Sequence, residues 1–271
     1  MKLDSNRAWK DASRSISRNR DTSLAIAGVF FLLPQLALAL FFPQPEPTAG
    51  MSEQQILELA QTYYLSTLPA MIPLILAQAL GTLGLLCLLR HAASPTVGEA
   101  LRLGAAGLAT YLAAQIVVAL AVGVVGGLIL SLLALSGAAA LAVAGLFLIV
   151  LLTIAIAVRV SLSGAVVAIE GERNPIRALR RSWALTADHG WRLFGFYALF
   201  LLAFFVILTI VSVILGIPLQ MMASSRTVEL ATALISSGLN ALMALYLVGI
   251  VGAVHGQLAG RTAEEEQRPF E

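Results

Sequence analysis

Apolar residues along this chain come in unbroken blocks, not in alternation. Six blocks are read, roughly Ser23–Phe42, Thr67–Leu89, Leu108–Leu133, Ala138–Val160, Leu193–Leu215 and Thr232–Val254. Each is about 20 residues or longer, the length a helix rising about 1.5 Å per residue needs to cross a hydrocarbon core about 30 Å thick. Barrel strands would be short and alternating. The pattern therefore predicts an all-α, polytopic integral membrane protein with six transmembrane helices, forming a single membrane domain over 1–271.

Polar positions punctuate the blocks unevenly. Every lysine and arginine except Arg226 falls in the N-terminal segment, the second loop, the fourth loop or the tail. The opposite side holds Arg226 beside Glu46, Glu53, Glu58 and Glu229. Loops rich in Lys and Arg stay cytoplasmic, so both termini are expected to face the cytoplasm of a bacterial inner membrane. "ALA" at Ala37–Ala39 resembles a cleavage site. The first block is nonetheless read as a span, because it is too long and three aspartates accompany the bases before it.

The densest polar stretch is "NPIRALRRSWALTADHGWRLF", starting at Asn174. Asn174 suits an N-cap and Pro175 the first helical position. The helix places Ile176, Leu179, Trp183 and Thr186 on one face, with Arg177 and Arg181 opposite and Arg180 at the border. Gly190 permits a turn, and Trp191 and Arg192 open the next span. This reads as a basic amphipathic helix in the cytoplasmic interface, with tryptophans at head-group depth. Arg177, Arg180, Arg181, Trp183, Trp191 and Arg192 serve one of three ends: topology and anchoring, an anionic lipid head-group site, or a surface for a cytoplasmic protein partner.

A weaker echo begins at Val97. Ala100, Leu101 and Arg102 align with Ala178, Leu179 and Arg180, and Gly104 with Ser182. Arg7–Trp9 resembles Arg181–Trp183, and Trp9, Ala12 and Ile16 share a face. The chain then divides into three hairpin units, roughly 1–90, 91–170 and 171–260, each led by a basic cytoplasmic helix. Close packing is expected at small residues spaced by four: Ala119, Gly123 and Gly127; Gly252, Gly256 and Gly260; Ala77 and Gly81. Oligomerisation through such faces is not separable from internal packing. Past Pro43, Pro45 and Pro47, Ser52 with Gln55 forms a capping box that opens a separate short surface helix carrying Ile56, Leu59, Ala60 and Tyr63.

Composition sharpens the class. The chain is 59% hydrophobic and 12% charged, against about half and a quarter in soluble domains. Its mean hydropathy is +0.88. One cysteine, Cys87, excludes an internal disulfide and a multi-cysteine metal site. Ionisable groups inside a membrane are functional candidates, and Arg159 is the main one. Its block runs on to Ile169, so a tilt or break near Ser161–Gly164 is expected. That break would bring Glu170 to Arg159, unless Glu170 meets Arg180; a structural ion pair is the preferred reading of Arg159 and Glu170. Gln35, Gln78, Gln115 and Asn240 are read as interhelical hydrogen-bonders or, in a transporter, as a polar path. His91, His189 and His255 lack metal-ligand spacing and are read as interfacial. No nucleotide, phosphate-loop or nucleophile motif is present. No cofactor, metal or nucleic-acid partner is expected.

The run from Arg159 to Trp191 resembles a known bacterial family. An arginine precedes a small-residue run, then come Glu170-Gly171, the Ala178–Trp183 helix with Leu185 and Thr186, and Trp191 at a span's start. This pattern is similar to the glycerophosphoryl diester phosphodiesterase membrane-domain family. The resemblance implies the membrane module only, without the soluble catalytic barrel, so phosphodiesterase activity does not carry over. Family members often have proline where this chain has Gly164 or Ala165. The function expected is a non-enzymatic lipid- or partner-interacting membrane module, with a small permease or lipid transporter as the alternative. An intramembrane enzyme would need clustered polar groups that the sequence does not display.

Overall fold

The computed structural model describes residues 3–45, 47–48, 50–90, 96–135, 139–222 and 225–260, which contain helices and no strand. His91, Glu46, Arg261 and Arg268 lie outside the described residues. The helices are α1 (Ser5–Arg18), α2 (Arg20–Phe41), α3 (Glu53–Arg90), α4 (Val97–Ala134), α5 (Ala139–Val160), α6 (Pro175–Thr186), α7 (Gly190–Met222) and α8 (Ser225–Leu258). Six stretches are long and apolar enough to cross a membrane, and each contains or overlaps one predicted block.

Two helices differ in extent from the sequence reading. The capping box at Ser52 forms: its N–H donates to Gln55 Oε1 at 2.9 Å, and Gln55 N–H donates to Ser52 Oγ at 3.3 Å. The helix it starts is not a separate surface piece. It runs on into the second span for 38 residues, with Pro69 and Pro73 inside it. Nothing between Tyr64 and Leu68 breaks a helix, and each proline withholds only one N–H. α4 also reaches 38 residues, about 57 Å, so its basic first turns are continuous with the span. In α2, Pro34 follows a widened π-turn at Gly28–Leu32, which relieves the clash of its ring with the preceding turn.

Small residues set the closest approaches. A Cβ at Gly81 would stand 2.6 Å from Phe30 Cβ, so α3 meets α2 there. A Cβ at Gly104 would stand 2.7 Å from the Gly84 backbone nitrogen, so α3 and α4 cross nearly backbone to backbone. Ala119, Gly123 and Gly127 correct the expectation made for them. All three are exposed, and nothing stands within 4 Å of a Cβ built at either glycine. The packed face of α4 is instead that of Ala100, Gly104, Gly107 and Ala114, with Gly126 against Ile149. Ala100 and Ala178 are buried alike, as are Gly104 and Ser182.

The expected break in the fourth span is present. α5 stops at Val160, a turn passes Ser161 and Leu162, and short helical segments at Ser163–Ala165 and Val166–Glu170 lead to Gly171 at φ 73°. α6 repairs the break. Ser182 Oγ donates to the Arg159 carbonyl at 2.8 Å and accepts from Leu162 N–H at 3.2 Å. Thr186 Oγ1 lies 3.1 Å from the same carbonyl. Hydroxyls thus satisfy backbone groups that an interrupted helix leaves open.

Candidate binding site between the helices

Asn174 caps α6 as its sequence suggests, accepting from the N–H groups of Ile176 at 3.0 Å and Arg177 at 3.1 Å. The face that α6 buries is Ala178, Ser182 and Thr186. Ile176 and Trp183 point outward, each about half exposed, and Trp191 is 84% exposed. α6 therefore has three faces: small and hydroxyl residues toward the bundle, Ile176 and Trp183 outward, and arginines beyond.

The arginines divide by partner. Arg181 pairs with Glu170 at 3.2 Å and Arg177 with Glu172 at 3.1 Å. Arg180 and Arg192 are exposed and form no ion pair among the described residues. Arg159 does not meet Glu170, correcting that expectation. Its Nη1 donates to the Thr186 carbonyl at 2.5 Å, and its guanidinium lies 5.7 Å from the Trp183 ring centroid. The break turns Arg159 toward α6 and sends Glu170 to α8, where its carboxylate lies 2.9 Å from Nε2 of the fully buried His255. Glu172 accepts from the N–H groups of Asn174 at 2.8 Å and Arg173 at 2.9 Å. The Asn174 N–H foremost, with Arg177 beside it, holds the Glu172 carboxyl below its ordinary range.

A cavity of about 690 Å³ opens between α2, α3, α4, α5, α7 and α8. Most of its wall is apolar, including Phe31, Leu86, Val122, Ile154 and Val251. Polar groups punctuate it: Thr82, Tyr111, Gln115, Thr153, Ser161, Ser163 and Tyr197. Ser161 Oγ and Tyr197 Oη are 3.3 Å apart, and Tyr111 bonds Gln115. Among the described residues no charged side chain lines it. The broken end of α5 supplies Ser161 and Ser163, so the break places hydroxyls on the wall. Of the predicted polar residues only Gln115 reaches this cavity; Asn240 lines a separate one of about 280 Å³.

A second, smaller cavity of about 150 Å³ lies where α1 crosses α8. α1 buries Ala8, Ala12 and Ile16. A Cβ at Gly249 would stand 3.0 Å from Ile16 Cδ1, and Trp9 stacks on Tyr246 with centroids 5.5 Å apart. Asp4 N–H donates to Gln257 Oε1 at 3.1 Å, Gln257 Nε2 donates to the Asp4 carbonyl at 3.2 Å, and Ser15 Oγ donates to the Leu89 carbonyl at 3.0 Å. The start of α1 and the end of α8 thus share one end of the bundle. Gly252 and Gly256 line this cavity, and nothing stands within 4 Å of a Cβ at Gly256. Gly256 thus leaves space where close helix packing was expected, whereas a Cβ at Gly252 would stand 3.5 Å from Leu86 Cδ2, so α8 does pack on α3 there.

Sequence reasoning did not single out this second site. Its signal was available: Arg7, Arg14 and Arg18 fall within about 40° of one another on a helical wheel at 100° per residue. Among the described residues, no group of three or more His, Cys, Asp or Glu gathers in a way that could hold a metal ion.

An all-helical protein with six helices able to cross a membrane is the class these features define. The chain matches Domain of unknown function (DUF7847) over residues 7–259 and belongs to that family. No curated protein and no solved structure matches the chain. These comparisons do not link the chain to the glycerophosphoryl diester phosphodiesterase membrane-domain family.

Proposed function

We propose that this is a non-enzymatic lipid-handling protein of the bacterial inner membrane, with both termini cytoplasmic, which holds a lipid-like amphiphile between its helices. The observation that carries the reading is the cavity of about 690 Å³ walled by apolar side chains and hydroxyls without a charge. Its volume falls in the range of about 300–1,000 Å³ typical of small-molecule sites. A strongly hydrated or charged solute would lose its water there with no counter-charge in the wall, whereas an acyl or isoprenoid chain loses nothing. Arg180, Arg192, Trp183 and Trp191 support the orientation. They are exposed side chains of the kind that engage anionic head groups, each cation contributing about 1 kcal/mol near the surface.

The test is lipid retention in mild detergent, read by native mass spectrometry. Ala198 lines the cavity, and Ala198→Trp fills part of it. Wild type is expected to carry lipid that the variant retains severalfold less. Equal lipid on both, or none on wild type, would end the proposal.

A further inference from the structure

The two cavities share a wall. Leu86 lines both and is 1% exposed. On α8, Val248 and Val251 face the larger cavity while Gly249 and Gly252 face the smaller one. One leucine side chain and one helix therefore separate an uncharged apolar chamber from a basic one.

The smaller chamber is electrostatically distinct. Arg7, Arg14 and Arg18 line it, with Asp11 as the only carboxylate among the described residues. Asp11 engages Arg7 at 3.7 Å and Arg14 at 3.8 Å, both long contacts. Arg18 forms no ion pair among the described residues. Glu170, which contacts His255 of the chamber wall, is already met by Arg181. The chamber thus keeps an excess of positive charge, with guanidinium forks suited to phosphate oxygens.

We infer that the chamber between α1 and α8 is the head-group site for an anionic, phosphate-bearing amphiphile whose chain reaches the larger cavity when the Leu86 side chain swings aside from the wall between them. This rests on the lipid-handling reading and adds the ligand's charge, its phosphate and its orientation. An uncharged amphiphile would leave the arginines unused. A free phosphate ion would leave the larger cavity unused.

The experiment reconstitutes the protein with an equal mixture of phosphatidylglycerol and phosphatidylcholine and identifies the lipid retained in detergent. Wild type is expected to retain phosphatidylglycerol preferentially. Arg14→Gln/Arg18→Gln alters exposed side chains and should cut that preference roughly ten- to thirty-fold, the loss of two interfacial cations. Gly256→Leu fills the chamber where no atom stands within 4 Å of a Cβ, and should lower phosphatidylglycerol retention without unfolding the helix. Inorganic phosphate should not displace the retained lipid; displacement would reassign the chamber to a free ion. If Ala198→Trp sheds lipid while both chamber variants keep the wild-type preference, the head-group assignment fails and the lipid-handling reading stands. If wild type retains no lipid, both fail together.

Discussion

Ser182→Ala is the perturbation whose effect the geometry fixes most closely. Ser182 is fully buried, and its hydroxyl serves two backbone groups at the break in α5. The two losses are unequal. The Arg159 carbonyl keeps Thr186 Oγ1 at 3.1 Å as an alternative donor. Leu162 N–H donates to Ser182 Oγ and to no other group among the described residues. One buried donor is therefore orphaned, not a donor and an acceptor, and the cost is about 1–3 kcal/mol. At roughly 2–4 °C per kcal/mol for a chain of this size, Tm should fall by several degrees. The chain carries its own reporter: its single cysteine, Cys87, is buried, so a maleimide dye registers unfolding. Thr186→Val alone should cost less, because Ser182 still serves the carbonyl. The double variant should lose more than the two single losses combined, since only then does the carbonyl lose both hydroxyls. An unchanged Tm for Ser182→Ala, or strict additivity in the double variant, would refute the account of how the break is held.

Two further outcomes follow from geometry already given. Gly104→Ala should destabilise by about 1–3 kcal/mol, because its Cβ meets backbone that cannot move aside, whereas Gly123→Ala should be neutral or slightly stabilising through helix propensity; the same dye assay separates them. Glu172, whose carboxyl is held low, contributes stability that is present above the unfolded-state value of about 4.3 and lost as pH falls through the folded value. Amide exchange at Arg173 and Asn174, whose N–H groups Glu172 accepts, should therefore quicken as pH falls through the folded value, beyond the intrinsic pH trend. Glu172→Ala should give the quicker exchange at neutral pH, and identical protection in wild type and variant would count against the hold of Glu172 on this turn.

The sequence was most legible where one local rule decides. Six apolar blocks became six helices because a helix satisfies its own backbone in hydrocarbon, and blocks this long and unbroken do not suit the short alternating strands of a barrel. Asn174-Pro175 announced the start of α6, and a block too long for one span announced the break after Arg159. Packing was less legible because glycine spacing is common to every helix face. Gly104 and Gly123 look alike in sequence, yet only the former lies at a crossing. The larger cavity was barely legible, since of its polar wall only Gln115 was singled out in the sequence, and Tyr111, Ser161 and Tyr197 are ordinary until six helices converge. The basic chamber joins residues near opposite ends of the chain, and no local pattern reports that meeting.

The docking of α1 on α8 has a consequence for biosynthesis. Trp9 emerges from the ribosome well before its stacking partner Tyr246, which is made roughly 240 residues later, on the order of ten to fifty seconds at about 5–20 residues per second. Until then the stripe of Ala8, Ala12 and Ile16 has no bundle to cover it. Closure of α1 must thus wait for α8, and a chain that has failed to insert α8 displays an uncovered α1 as the mark of its incompleteness.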